Sequence, residues 1–165
     1  MMRDKINEYS KNYSRESRLN NQSTKWDKED DCVTILINEI KGKPLKETLT
    51  CERINLSSGE AYKIGEFFSG KKKGSPEPLN TNQLRKYFEQ ITNAVRLDDF
   101  TEKRNALFKV LPQIAYAVGR KVCPKKFYDL MDACISKSTL TDNEDINTFV
   151  DFLTAIVAYS KFFEK

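Results

Sequence analysis

Seven cations with helical spacing stand out in the second half of this chain: Arg85, Lys86, Arg96, Arg120, Lys121, Lys125 and Lys126. Residues 77–126 carry ten Lys and Arg against five Asp and Glu, whereas residues 127–165 carry three against seven. A basic helical stretch followed by an acidic one suits a protein that holds a polyanion with one surface and a protein with another. Arginine offers a planar fork to phosphate and lysine a point charge, so these side chains are the candidate anion contacts. For any one of them the competing role is a solvated face. For Arg85 and Arg120 it is also a structural ion pair with Asp98, Asp99 or Glu102.

The same inventory argues against an enzyme. The chain has no histidine, which removes the only side chain that titrates unperturbed near neutrality. Asp98, Asp99 and Glu102, and likewise Asp142, Glu144 and Asp145, resemble metal sites at first sight. Both groups fall at expected helix starts, where acids cap backbone amides and favour the positive end of the dipole. The run from Gly70 to Gly74 lacks the spacing and the Lys-Ser/Thr ending of a phosphate-cradling loop. Cys32, Cys51, Cys123 and Cys134 are widely spaced and read as reduced thiols, with Cys134 packed as a small apolar residue. No metal and no cofactor is expected. Tyr87, Phe88, Phe127 and Phe149 have core spacing, so packing is favoured over base stacking.

These residues need rigid elements to hold them. Val33, Ile35, Leu36, Ile37 and Ile40 have a period that fits strand or helix; helix is preferred because no second strand exists to pair with it. Ser57 and Glu60 have the spacing of a capping box, followed by Ala61, Ile64 and Phe68 on one face. Lys71, Lys72 and Lys73 lie in a glycine-bounded basic loop. Asn80 and Gln83 form a second cap, and Leu84, Tyr87, Phe88, Ile91 and Val95 then trace one helical face. Leu107, Val110, Leu111, Ile114 and Val118 trace another, with a kink or restart expected at Pro112. Pro124 is expected in the first turn of a helix carrying Phe127, Leu130, Met131 and Cys134. A capping box from Thr141 to Glu144 opens the last helix, whose stripe is Ile146, Phe149, Val150, Leu153, Ile156 and Val157. Phe152, Tyr159, Phe162 and Phe163 make that helix apolar nearly all round. It is either the centre of a single bundle or partly an interface with another chain.

At 165 residues and 39% hydrophobic content, the chain can bury one sizeable core. The expected fold is all-α, a compact bundle of about five or six helices over residues 31–165. Residues 1–30 form a polar N-terminal arm, expected to be mobile or ordered by a partner. A net charge of +4 would not by itself imply nucleic acid. The N-terminus has no apolar signal region and no apolar run approaches a membrane span, so the expected location is cytoplasmic.

Three segments together carry a family resemblance: LNTNQLRKYF (79–88), QIAYAVGR (113–120) and FVDFLTAIVAYSKFF (149–163). Their order and spacing resemble the small helical subunit of the type III-A CRISPR effector, the Csm complex. The resemblance spans roughly residues 79–163. It implies a non-catalytic subunit, present in several copies beside the backbone subunits, that contacts the guide RNA–target RNA duplex. It singles out Arg85 and Arg120 as RNA contacts and places Lys161 at a family Tyr-x-Lys position. Ser160 departs from the family, which often has an aromatic or His there. On this reading the partners are guide and target RNA, the other Csm subunits, and copies of the chain itself, including a homodimer of the isolated protein. The alternative is a helical adaptor whose basic face binds an acidic protein.

Overall fold

The computed structural model describes residues 31–71, 75 and 78–164. The arm over residues 1–30, with Lys72 and Lys73, lies outside them. Every regular element among the described residues is helical: α1 (Cys32–Ile40), α2 (Leu45–Thr48), α3 (Cys51–Asn55), α4 (Glu60–Phe68), α5 (Thr81–Val95), α6 (Phe100–Phe108), α7 (Val110–Gly119), α8 (Lys125–Cys134) and α9 (Asn143–Phe163). The fold is all-α, as expected. The number of elements exceeds five or six for two reasons. Two helices, α2 and α3, are single short turns, and the segment after Asp99 is divided. Lys109 is both the last cap of α6 and the first of α7. Pro112, three residues on, has no N–H to donate, so the hydrogen-bond ladder breaks there.

Short polar side chains set the helix starts. Asp31 accepts the Thr34 N–H at 2.9 Å, Asn80 that of Asn82 at 2.9 Å, Asp99 that of Glu102 at 3.0 Å and Asp142 that of Asp145 at 3.1 Å. Two expected capping boxes need correction. α4 begins at Glu60 behind Gly59, and no side chain caps it. A Cβ at position 59 would stand 2.3 Å from the Arg53 carbonyl oxygen, so the tight α3–α4 turn admits only glycine. Ser57 is therefore not the cap, and Glu60 pairs instead with Arg53 at 3.3 Å and Lys63 at 3.5 Å. At α9 the cap is Asp142 rather than Thr141, and the acid that reaches back is Asp145 rather than Glu144. Pro124 likewise precedes α8 as its cap instead of lying inside its first turn.

α9 is the centre of the bundle and packs against α2, α3, α4 and α5. Ile146, Phe149, Phe152, Leu153 and Ile156 are fully buried along it. α4 lies so close that a Cβ at Gly65 would stand 2.6 Å from the Tyr159 Cβ and 2.9 Å from the Ser160 amide nitrogen. Tyr62 of α4 packs edge-on against Tyr159 and Phe163, at 5.1 and 5.0 Å between ring centres. These neighbours account for the helix being apolar nearly all round; Phe162, 63% exposed, is its one large hydrophobic facing solvent. By length and composition alone α9 would reach across a membrane. Its apolar residues are instead covered largely by the other helices.

A second set of contacts joins α8 to α1 and α7. Phe127 sits under Phe68 and Tyr87, at 5.7 and 6.3 Å between ring centres. Tyr87, Phe127 and Phe149 are buried and Phe88 half-buried, so the four aromatics serve in packing. Cys134 is buried, and desolvation pushes its thiol up to about 12; the same cause takes Cys123 to about 11.

Two outcomes follow from this packing. Helix propensity favours Ala over Gly by about 1 kcal/mol, but the α4–α9 contact reverses the sign. Gly65→Ala should lower stability by about 1 to 3 kcal/mol, and a raised melting temperature would refute the close approach. In a thiol titration at pH 8, Cys123 and Cys134 should react only on unfolding, while exposed Cys51 reacts in the native protein. Immediate reaction of all four would contradict this burial.

Candidate nucleic-acid interface

α5 presents three faces. Leu84, Tyr87, Ile91 and Ala94 point into the bundle. Arg85 and Lys86 are adjacent in sequence but about 100° apart on the helix. They therefore fall on opposite sides of the buried stripe.

On the Lys86 side, α5 and α7 enclose a groove of about 370 Å³. Gln83, Lys86 and Tyr87 line it from α5. Pro112, Gln113, Tyr116, Ala117 and Arg120 line it from α7, and Val122 closes it. Gln90 donates to Gln113 at 2.8 Å and ties the two helices together. Val122 is shared with an adjoining depression of about 710 Å³, lined by Pro78, Asn80, Val118, Lys121, Cys123, Pro124, Lys125 and Lys126. The structure thus groups Lys86 with Arg120, and Lys121 with Lys125 and Lys126, on neighbouring surfaces.

The turn between α7 and α8 sets these positions. α7 ends with the Lys121 N–H donating to Val118 at 2.9 Å and the Val122 N–H to Ala117 at 3.1 Å. This double closure places its αL residue at Lys121, with φ of 60°, where glycine is usual. Arg120 and Lys121 meet the negative end of α7. Lys125 and Lys126 occupy the first turn of α8, which has no acid and no side-chain cap. Lysines there oppose the helix dipole and add to the positive field at the helix start, so the turn suits an anion.

The cations differ in their partners. Lys125 pairs with Asp129 at 2.8 Å, which holds its ammonium protonated more firmly. Lys126 pairs with Asp31 at 2.9 Å and donates to the Thr34 hydroxyl. Partial burial opposes ionisation of Asp31, but the Thr34 N–H and the Lys126 ammonium prevail and hold it below the usual carboxylate range. Lys126 is thus engaged in joining α1 to α8. Among the described residues no carboxylate lies within ion-pair distance of Lys86, Arg120, Lys121, Arg85 or Arg96. Arg120 instead lies over the Tyr116 ring, 5.7 Å from its centre.

Arg85 does not join this group. It lines a separate cleft of about 410 Å³ against α9, with Phe88, Val157, Ser160, Lys161 and Glu164. Lys161 there pairs with Glu164 at 2.6 Å. Ser160 is buried, and its hydroxyl has no hydrogen-bond partner among the described residues. Arg96, the exposed last cap of α5, lines neither surface. Asp99 is spent on its cap, and among the described residues neither Arg85 nor Arg120 forms an ion pair with Asp98, Asp99 or Glu102. Sequence reasoning passed over Gln83, Gln113 and Tyr116. Tyr116 falls off the apolar stripe of α7 and is 68% exposed, a signal that was present in the helical period.

No group of three His, Cys, Asp or Glu able to hold a metal occurs among the described residues. The surface offers fixed positive charge, side-chain amides and an aromatic ring. Replacing Lys121 by glycine should raise stability by about 0.5 to 1 kcal/mol; a lower melting temperature would mean that the αL turn is absent.

The family model for Csm2 Type III-A matches residues 53–165, beginning upstream of the first of the three resembling segments. No match is found among curated proteins or solved structures. The match takes in the C-terminal part of α3 and everything beyond it, including both basic depressions and the α9 core, and on that ground this all-helical chain belongs to the Csm2 family, the small subunit of the type III-A CRISPR effector complex.

Proposed function

We propose that this subunit is a non-catalytic RNA-binding element, acting in the cytoplasm, that braces the guide RNA–target RNA duplex with the α5–α7–α8 surface. The observation that carries the reading is the placement of Lys86, Arg120 and Lys121 along adjoining depressions, with no carboxylate among the described residues within ion-pair distance of them. A-form duplexes expose phosphates and 2′-hydroxyls across a wide, shallow groove, and a subunit that accepts any guide must read that backbone rather than base edges. Cations on packed helices suit this task. Lys125, partly neutralised by Asp129, adds a weaker contact, while Lys126 serves mainly to orient the α8 terminus. Arg85 and Lys161 lie by the other cleft, away from this surface. Three phosphate contacts give modest affinity, and several copies along one duplex multiply it.

The test is duplex RNA binding by the full-length chain over a range of salt. The triple substitution Lys86→Ala, Arg120→Ala and Lys121→Ala should weaken binding and flatten the logarithmic salt slope by about 2 to 3, with helical content unchanged. Arg85→Ala should leave RNA binding as it was. An unchanged slope in the triple variant sinks the proposal. Absence of salt-dependent RNA binding by the parent chain favours an adaptor for an acidic protein.

A further inference from the structure

We infer that the Tyr116–Arg120 edge of the α5–α7 groove receives one unstacked base of an RNA strand, a reading that rests on the RNA-binding role proposed above. Tyr116 is the most exposed large apolar side chain among the described residues, 68% accessible on a helix packed in the bundle. Its ring projects from a helix rather than from a loop. The Arg120 guanidinium already lies 5.7 Å from the ring centre, so an aromatic face and a cation are presented together. Nucleobases stack on both kinds of plane. Pro112, one turn earlier on α7, Ala117 and Val122 supply apolar walls in the same groove. Gln83 and Gln113 bring amides to it, which can meet a base edge, and Lys86 brings a cation for the adjoining phosphate.

The volume, about 370 Å³, suits a single nucleotide and not a stacked run. Bases inside a continuous A-form duplex are already stacked and offer no free face. The ligand is therefore an unpaired position: a single strand, a bulge or a duplex end. The cations around the ring argue for a nucleotide over an apolar protein segment.

The experiment compares wild type, Tyr116→Ala and Tyr116→Phe as full-length chains. Binding is measured by anisotropy to a single-stranded RNA, an unbroken blunt duplex and a duplex with one central bulged nucleotide, the last also with an abasic bulge. Tyr116→Ala should lose about ten-fold in affinity for single-stranded and bulged RNA, lose little on the unbroken duplex, and gain nothing from restoring the bulged base. Tyr116→Phe should retain wild-type binding. If Tyr116→Ala binds every RNA as wild type does while the Lys86, Arg120 and Lys121 triple variant binds weakly, the stacking site is wrong and the phosphate surface stands. If neither variant loses affinity, both readings fail. An equal loss on all RNAs assigns Tyr116 to backbone contact through Arg120 and overturns stacking.

Discussion

The bundle depends on how closely α4 can lie against α9. A helix apolar on nearly all sides needs neighbours on nearly all sides, and α4 supplies the closest. Gly65 removes the Cβ that would collide with Tyr159, and the tyrosine ring then turns into the space beside Tyr62. Its hydroxyl donates to the Asn55 carbonyl, so the end of α3 is fastened to the same contact. At the other end of α9, Asp145 is fully buried and accepts from the Thr141 N–H at 2.9 Å, from the Thr141 hydroxyl, and from the Lys46 N–H at 3.0 Å. A buried carboxylate is tolerated when donors surround it. Here one of those donors is an orphan amide at the start of α2, and the single turn is held in place by the helix it packs on.

That rigidity matters because a backbone-reading surface works only if its charges are already placed. Where the bundle needs ion pairs it makes them: Lys46 with Asp142, Arg53 with Glu39, Lys126 with Asp31. Among the described residues, the groove between α5 and α7 is lined by cations and no acids. Exposed unpaired cations cost little in water, but grouping them stores mutual repulsion that a polyanion relieves. The lysine at the αL position of the α7–α8 turn fits the same pattern, since glycine would be easier there and would carry no charge.

Much of the architecture was legible in the residues. Asn80 and Asp99 behave as caps because a short polar side chain next to a helical period has few other uses. Pro112 marked the division of α6 from α7. The misread boxes have local causes that no pattern reveals. Gly59 is the α4 cap because the Arg53 carbonyl lies against it, and Asp145 displaces Glu144 because it faces the amides of Thr141 and Lys46. Whether the girth of α9 was meant for its own chain or another could not be read from composition, since the same apolar residues serve either.

The sequence by itself determined that the chain is helical, that its second half divides into a basic and an acidic stretch, and that histidine-based chemistry is absent. Those properties are additive along the chain and need no neighbours. Tertiary structure alone decided which cations share a surface. Arg85 and Lys86 are consecutive, yet one helical step sends them to different clefts, while Lys86 and Arg120 meet across two helices. It also decided which charges remain unspent. Asp31 reaches Lys126 only because α1 packs on α8, and no carboxylate among the described residues reaches Lys121 or Arg120. Charge is written residue by residue, but its neutralisation is a matter of distance in space.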